Sequence, residues 1–268
     1  MKYIDTKTQD ALKQEVMKFL NLTEDEIKQI FESIYYNTEK EPRTWVNDFL
    51  SEYIVDETLE CIQMFHLSRR LDGTDLRENN NLEQLLLEDT PISRFFKKHK
   101  VTFEKGKGHI DIFFKGKLQP LDNEFNYHSG NIYYLKSRLG YNTAQDYCVN
   151  GFAFRSYLEE NRYFSALSAG PELVQNIESL LDIDGMVLDY YANSKYYCIE
   201  YLVPLSEVIF DEYNFPQTDR WKMVAFLCES ILRLYYSWIN VSCDENLILR
   251  LSDDAEMKPE WFVNAEEI

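Results

Sequence analysis

Apolar residues recur at helical spacing through the first sixty positions, then give way to short apolar runs separated by polar turns. Ala11, Leu12, Val16, Phe19 and Leu20 fall on one face of a helix. Thr23 with Glu26 has the spacing of a capping box and opens a second helix, with Ile27, Ile30, Phe31 and Ile34 as its stripe. Asn37 to Arg43 is a polar break containing Pro42, and Trp45, Val46, Phe49, Leu50, Tyr53 and Ile54 form a third stripe. Such stripes are core faces, so residues 1–60 are predicted to be a helical region.

From Cys61 the pattern shortens. CIQMFHL reads as a buried strand ending in HLSRR, Asn81 to Leu87 as a helix, and Thr90-Pro91 as the start of another. Val101 to Lys117 reads as a hairpin, VTF and HIDIFF being joined by the turn EKGKG. Asn131 to Leu139 and Tyr147 to Arg155 are mixed. SALSAGPE (165–172) reads as a loop leading to a helix start at Pro171-Glu172, either an ordinary start or one whose backbone N–H groups receive an anion. Met186 to Tyr191 and Tyr196 to Val203 read as two strands about a turn at Asn193-Ser194, and Val208 to Phe210 as a third after a break at Pro204. Thr218 to Asn240 is a long amphipathic helix, followed by an acidic tail whose Trp261, Phe262 and Val263 suggest docking. Strand–turn–strand units outnumber any βαβ alternation, which predicts an α+β fold. The organisation read from the chain is a helical region at 1–60, an α+β core at 61–215 with mostly antiparallel strands, and a C-terminal helix with acidic tail at 216–268.

Charge narrows the partners. The net charge is -18. Phosphate backbones and anionic membranes repel such a chain, so general nucleic-acid binding is disfavoured and a basic protein partner or macromolecular acceptor is favoured. Residues 94–117 are the exception, with eight basic residues against two acidic. They read as a solvated helix end and hairpin, or as a local site for a phosphate or an RNA end. The five cysteines are widely spaced, with no CxxC pair and no His/Cys cluster, which predicts free thiols, no metal and a cytoplasmic setting. MKYIDTKTQDALKQE lacks the apolar core of a secretory signal, and no run approaches the ~18 apolar residues of a membrane span.

Catalytic motifs are absent. GxSxG, HExxH, GxxxxGK[ST] and GxGxxG do not occur, and the four histidines are scattered. Two residues stand out. Glu200 is a lone carboxylate in the apolar, aromatic strand YYCIEYLVP, and His66 ends a buried-looking strand in FHLSRR. A charge in such a strand needs a partner or a use, although Glu200 can also face water on a half-covered sheet and His66 can be a hydrogen-bonded structural residue.

This His and Glu pair, with an aromatic between them, resembles the ADP-ribosyltransferase-like families of the His…Tyr…Glu type over about residues 61–210. The resemblance implies NAD as co-substrate, with no metal. It implies that His66 contacts the nicotinamide ribose and that Glu200 orients the ribose while positive charge builds on it. A Tyr would stack on the nicotinamide: Tyr134 is the candidate, among Tyr133, Tyr134, Tyr141 and Tyr163. Arg69 or Arg70 would hold a pyrophosphate. The chain departs from the pattern in lacking a Ser-Thr-Ser-like segment and in having Cys198 two positions before Glu200. Three function classes follow: an NAD-using, toxin- or defence-type transferase; an acidic inhibitor or antitoxin-like protein occupying a basic partner surface; or an interaction module docking through its N-terminal helices.

Overall fold

The computed structural model describes residues 1–53, 57–121, 130–141, 146–243 and 245–268. In chain order the elements are α1 (Gln9–Leu20), α2 (Glu24–Tyr36), α3 (Pro42–Glu52), β1 (Cys61–Leu71), α4 (Leu82–Leu87), α5 (Pro91–Lys98), β2 (Val101–Lys105), β3 (Ile110–Phe114), β4 (Lys117–Gln119), α6 (Gly130–Arg138) and β5 (Asn150–Phe152). They continue with α7 (Arg162–Ser168), α8 (Glu172–Leu181), α9 (Met186–Ala192), β6 (Ser194–Pro204), β7 (Ile209–Phe210), α10 (Asp219–Trp238), β8 (Ile248–Arg250) and β9 (Phe262–Glu267). The fold is α+β with two antiparallel sheets and a long helix towards the C-terminus.

The local rules of the N-terminal half act as the sequence implies. Thr8 accepts from Ala11 N to start α1, and Asn21 ends it in the left-handed region at φ 51°. Thr23 and Glu26 make the reciprocal capping box of α2, with the Thr23 N–H donating to Glu26 Oε2 at 2.8 Å. Leu12, Val16, Phe19, Ile27, Phe31, Ile34, Val46 and Leu50 are all buried. Ile54 lies outside the described residues.

Two compact units divide the chain. The first comprises Met1–Phe65, Gly151–Arg162 and Glu200–Arg250. Here α1 and α3 pack on α10, and the strand portions run in the order β7-β8-β5-β1-β6, with Phe210 opposite Leu249 and Phe65 opposite Phe152. Gly151 has a reason to be glycine: a Cβ there would lie 2.8 Å from the Phe65 carbonyl oxygen. Phe154 and Phe226 stack at 5.6 Å inside this unit.

The second unit comprises His66–Asn150, Tyr163–Ile199 and Leu251–Ile268. Phe96, Val101, Ile110, Ile112, Leu135, Leu139, Val174, Ile177 and Met186 build its core. The hairpin expected at Val101 to Lys117 gains a third strand, giving the order β2-β3-β4. Lys115 (φ 52°) and Gly116 (φ 74°) turn β3 into β4, two successive left-handed residues as a tight hairpin demands. Within this unit β9 lies beside β6, with Ile268 N donating to the Tyr196 carbonyl at 3.0 Å.

Three expectations need correction. Met186 to Tyr191, read as a strand, is helix α9. Its Val and Tyr residues favour strands, but burial follows a four-residue step: Met186 and Tyr190 are buried while Leu188 is 74% exposed. The Val187 N–H is also satisfied by Glu178 Oε2 at 2.6 Å. The loop read at Ser165 to Glu172 is helical as far as Ser168, where α7 stops just before Gly170 at φ 136°. The tail read as merely docking supplies two strands, β8 and β9, because Leu249 and Leu251 are buried and Trp261 is covered.

Candidate functional site

Glu200 is 6% exposed and sits on β6 among aromatic and aliphatic neighbours in the sequence. Its charge is met by Gln63 Nε2 (2.8 Å) and Lys7 Nζ (3.0 Å), both on Oε1. Gln63, on β1, is itself held: its Oε1 accepts from Thr6 N at 2.6 Å and Thr6 Oγ1 at 3.1 Å, and Thr6 Oγ1 donates onward to the Ala153 carbonyl at 2.7 Å. The carboxylate is therefore the end of a polar chain crossing an apolar interior. Burial works against the Lys7 charge, but its bond to Glu200 and the charge of Glu200 hold its pKa above the usual lysine value.

His66 falls in the other unit. Its Nδ1 lies 2.6 Å from the Asn150 carbonyl oxygen. A carbonyl only accepts, so Nδ1 carries the proton and Nε2 presents a lone pair. Desolvation first, then the nearby Arg70 charge, keep the imidazole pKa well below its usual value, against the bond to Asn150. Arg69 is occupied: it donates to Ser194 Oγ (2.9 Å) and to the carbonyls of Ser168 (2.9 Å), Ser194 (2.8 Å) and Tyr191 (3.2 Å), and lies 3.9 Å over the Tyr191 ring. Arg70 is buried and donates to Asn79 Oδ1 at 2.7 Å. Tyr134 is 55% exposed on α6, edge-on to Tyr133, whereas Tyr141 donates to Asp111 Oδ1 at 2.7 Å. Of the other histidines, His99 bonds Asp189 and His109 bonds Asp111, while His128 lies outside the described residues. The basic stretch is partly neutralised locally, by Arg94 with Asp89, Lys98 with Asp189, and Lys105 with Glu83.

A cavity of about 90 Å³ lies wholly within the first unit. Its charged lining is Arg43 from α3, Glu229 and Arg233 from α10, and Glu212 and Glu245 from loops. Phe154, Tyr236, Cys243 and Asn246 share the wall. Arg43 and Glu229 form a two-pronged ion pair whose longer arm, Nη2 to Oε2, is 3.2 Å. Arg233 is 3% exposed, donates to the carbonyls of Cys243 (3.2 Å), Glu245 (2.9 Å) and Ser156 (3.2 Å), and places its guanidinium 4.8 Å over the Phe154 ring. Its Nε is buried without a hydrogen-bond partner. Burial, then the charge of Glu229, raise the Glu212 pKa against the opposing pull of Arg43. Glu212 and Glu245 make no ion pair among the described residues.

Sequence reasoning missed this cavity. Arg43 stood in a polar break, and Glu229 and Arg233 are spaced i, i+4 on a helix, the signature of a solvated pair. The one available signal was that each member directly follows a residue of the apolar face, Glu229 after Cys228 and Arg233 after Leu232. Among the described residues no group of three or more His, Cys, Asp or Glu could hold a metal, no helix is long and apolar enough to cross a membrane, and all five cysteines are free. No protein-family model, curated protein or solved structure matches the chain.

Proposed function

We propose that this protein is a binding module, of the inhibitor or antitoxin-like class, that takes a basic segment of a protein partner. The observation that supports it is the cavity of the first unit, where Glu212 and Glu245 make no ion pair among the described residues. The unit carries 24 acidic against 13 basic residues, so a positive segment is drawn to it from a distance. The cavity's space suits several waters or the end of one side chain. Its own Arg43 on Glu229 shows the chemistry: a guanidinium set against a carboxylate.

The test is fluorescence anisotropy with a labelled octa-arginine peptide over increasing salt. Binding should weaken with salt, and Glu212→Gln with Glu245→Gln should weaken it about fivefold, taking ~0.5 kcal/mol for each exposed charge pair. A control with the same charge change elsewhere, Asp184→Asn with Glu260→Gln, should leave it near wild type. An equal loss in the control would remove the cavity from the explanation, and no binding at low salt would end the proposal.

A second reading, NAD-dependent ADP-ribosyl transfer to an unidentified acceptor, is favoured by the state of His66. A neutral imidazole with an open acceptor nitrogen suits a ribose hydroxyl. It ranks second because Glu200 spends its charge on Lys7 and Gln63. NAD consumption followed by chromatography tests it: turnover by the wild type, abolished in a folded Glu200→Gln variant, would place this reading first.

A further inference from the structure

The ends of α2 and α10 carry six aromatic rings in one continuous array. Tyr36 meets Tyr35 edge-on at 5.1 Å, and Tyr35 meets Trp238 edge-on at 6.1 Å. Trp238 contacts Phe31 at 5.9 Å, Phe31 contacts Tyr235 at 6.3 Å, and Tyr235 contacts Tyr236 at 5.4 Å. The array runs from inside to outside. Phe31 and Tyr235 are 4% and 5% exposed, whereas Trp238, Tyr35 and Tyr36 are 39%, 56% and 76% exposed. Single exposed aromatics are ordinary, but three that touch one another form a patch that water solvates poorly.

The other end of the array is chemically distinct. Tyr236 lines the cavity that holds Glu212, Glu229 and Glu245. Aromatic faces and carboxylates have one ligand in common, a cation with an apolar or planar body. The cavity already seats that group twice from its own chain, Arg43 against the Glu229 carboxylate and Arg233 over the Phe154 ring. Both are arginines. A guanidinium can lie flat on a ring and present paired N–H groups to a carboxylate, which an ammonium cannot.

We infer that the exposed rings Tyr35, Tyr36 and Trp238, and the carboxylates Glu212 and Glu245, are two docking points for one arginine-bearing extended segment of the protein partner. One arginine stacks on the exposed rings and a second pairs with Glu212 and Glu245. This rests on the binding reading above and adds to it the side chain selected. The preference for arginine over lysine comes from the rings, and the salt-dependent attraction comes from the acids.

The experiment compares octa-arginine with octa-lysine by anisotropy, at equal salt, on the full chain. Wild type should prefer arginine about three- to fivefold, the scale of a stacked cation at an exposed ring. Tyr35→Ala with Tyr36→Ala should bring the two affinities together while retaining salt-dependent binding of octa-lysine. Tyr36→Ala alone, at the most exposed ring, is the milder variant and should show part of the same convergence should the double variant fold poorly. Equal wild-type affinity for the two peptides, or an unchanged preference in the ring variants, overturns the inference and leaves the acidic-cavity reading standing. Failure of both peptides to bind wild type removes that reading instead. A concentration-dependent dimer seen by light scattering and lost in the ring variants would assign the patch to a second copy of the chain and would also overturn the inference.

Discussion

Lys7 Nζ lies 3.0 Å from Glu200 Oε1, so the N-terminal segment ahead of α1 is tied by charge to the middle of strand β6. Glu200 is 8% exposed at its side chain and Lys7 is 44% exposed. The cost of losing each partner is therefore unequal. Removing Lys7 strands a buried carboxylate on one remaining donor, Gln63. Removing Glu200 releases a lysine that can turn to water. Lys7→Met should cost about 2 kcal/mol and Glu200→Gln about 1 kcal/mol, below the range for a fully buried pair because water reaches Lys7. Urea unfolding at neutral pH measures both. The pKa of Lys7 is raised in the fold, so its contribution is complete below the ordinary lysine value of 10.5 and is lost as pH rises through the higher folded value. A larger loss in Glu200→Gln than in Lys7→Met would refute this account.

The imidazole of His66 gives the opposite pH dependence. Its folded pKa lies below the unfolded value of 6.5. Between these values the unfolded chain binds a proton that the folded chain refuses, so stability falls as pH drops below about 6.5 and the penalty is absent above it. His66→Asn can keep a donor towards the Asn150 carbonyl while removing the titration. The difference in urea midpoint between wild type and His66→Asn should shift in favour of the variant on going from pH 7 to pH 5. Parallel midpoints across that range would show that His66 titrates normally in the fold.

The helical faces of the N-terminal region were legible from the spacing of their stripes, and for α2 also from the Thr23 with Glu26 capping box, whereas the Thr8 cap of α1 and the start of α3 at Pro42, read only as a break, show in the structure. Strand β6 was legible from its apolar run, and the α+β class followed from the same patterns. Helix α9 was not, since MVLDYYA carries strand-favouring side chains, and burial of Met186 and Tyr190 decided the outcome. Glu200 stood out in the sequence as a charge needing a partner, and in the fold it is buried against Gln63 and Lys7. Its partners Gln63 and Lys7 were hidden because nothing in one sequence pairs positions 137 and 193 residues apart. The cavity was illegible for the same reason: Arg43 and Glu229 are 186 residues apart and meet only through the packing of α3 on α10.

The Thr23 capping box offers a local test of how much the helical layer depends on its ends. Thr23 Oγ1 accepts from Glu26 N at 3.3 Å, and Glu26 Oε2 accepts from Thr23 N at 2.8 Å. Those bonds hold the Glu26 pKa below the usual glutamate value. Thr23→Ala should cost about 1 kcal/mol, whereas Thr23→Ser should cost only a few tenths because it keeps the oxygen. Thermal unfolding followed by circular dichroism separates the two. Equal effects of Ala and Ser would mean that the hydroxyl contributes nothing.

Lys222 is the sharpest stability test, because it is a buried cation that the pattern of α10 gave no reason to notice. It is 3% exposed. Its Nζ donates to the carbonyls of Leu205 and Val208, the latter at 3.0 Å, and lies 2.9 Å from Asp219 Oδ1. It thereby ties α10 to the short turn between β6 and β7, where Pro204 begins a break and the Leu205 carbonyl also accepts from Val208 N at 3.4 Å. Lys222→Met fills nearly the same space without any donor. It should cost about 1–3 kcal/mol, the penalty for leaving the Val208 carbonyl without its donor. Lys222→Arg keeps the donors but is longer and planar, and should recover only part of that loss. Asp219→Asn removes the exposed partner and should cost under about 1 kcal/mol. Chemical unfolding of the three variants gives the ranking Met, then Arg, then Asn. Asp219→Asn matching Lys222→Met would assign the stabilisation to the surface ion pair and not to the carbonyls.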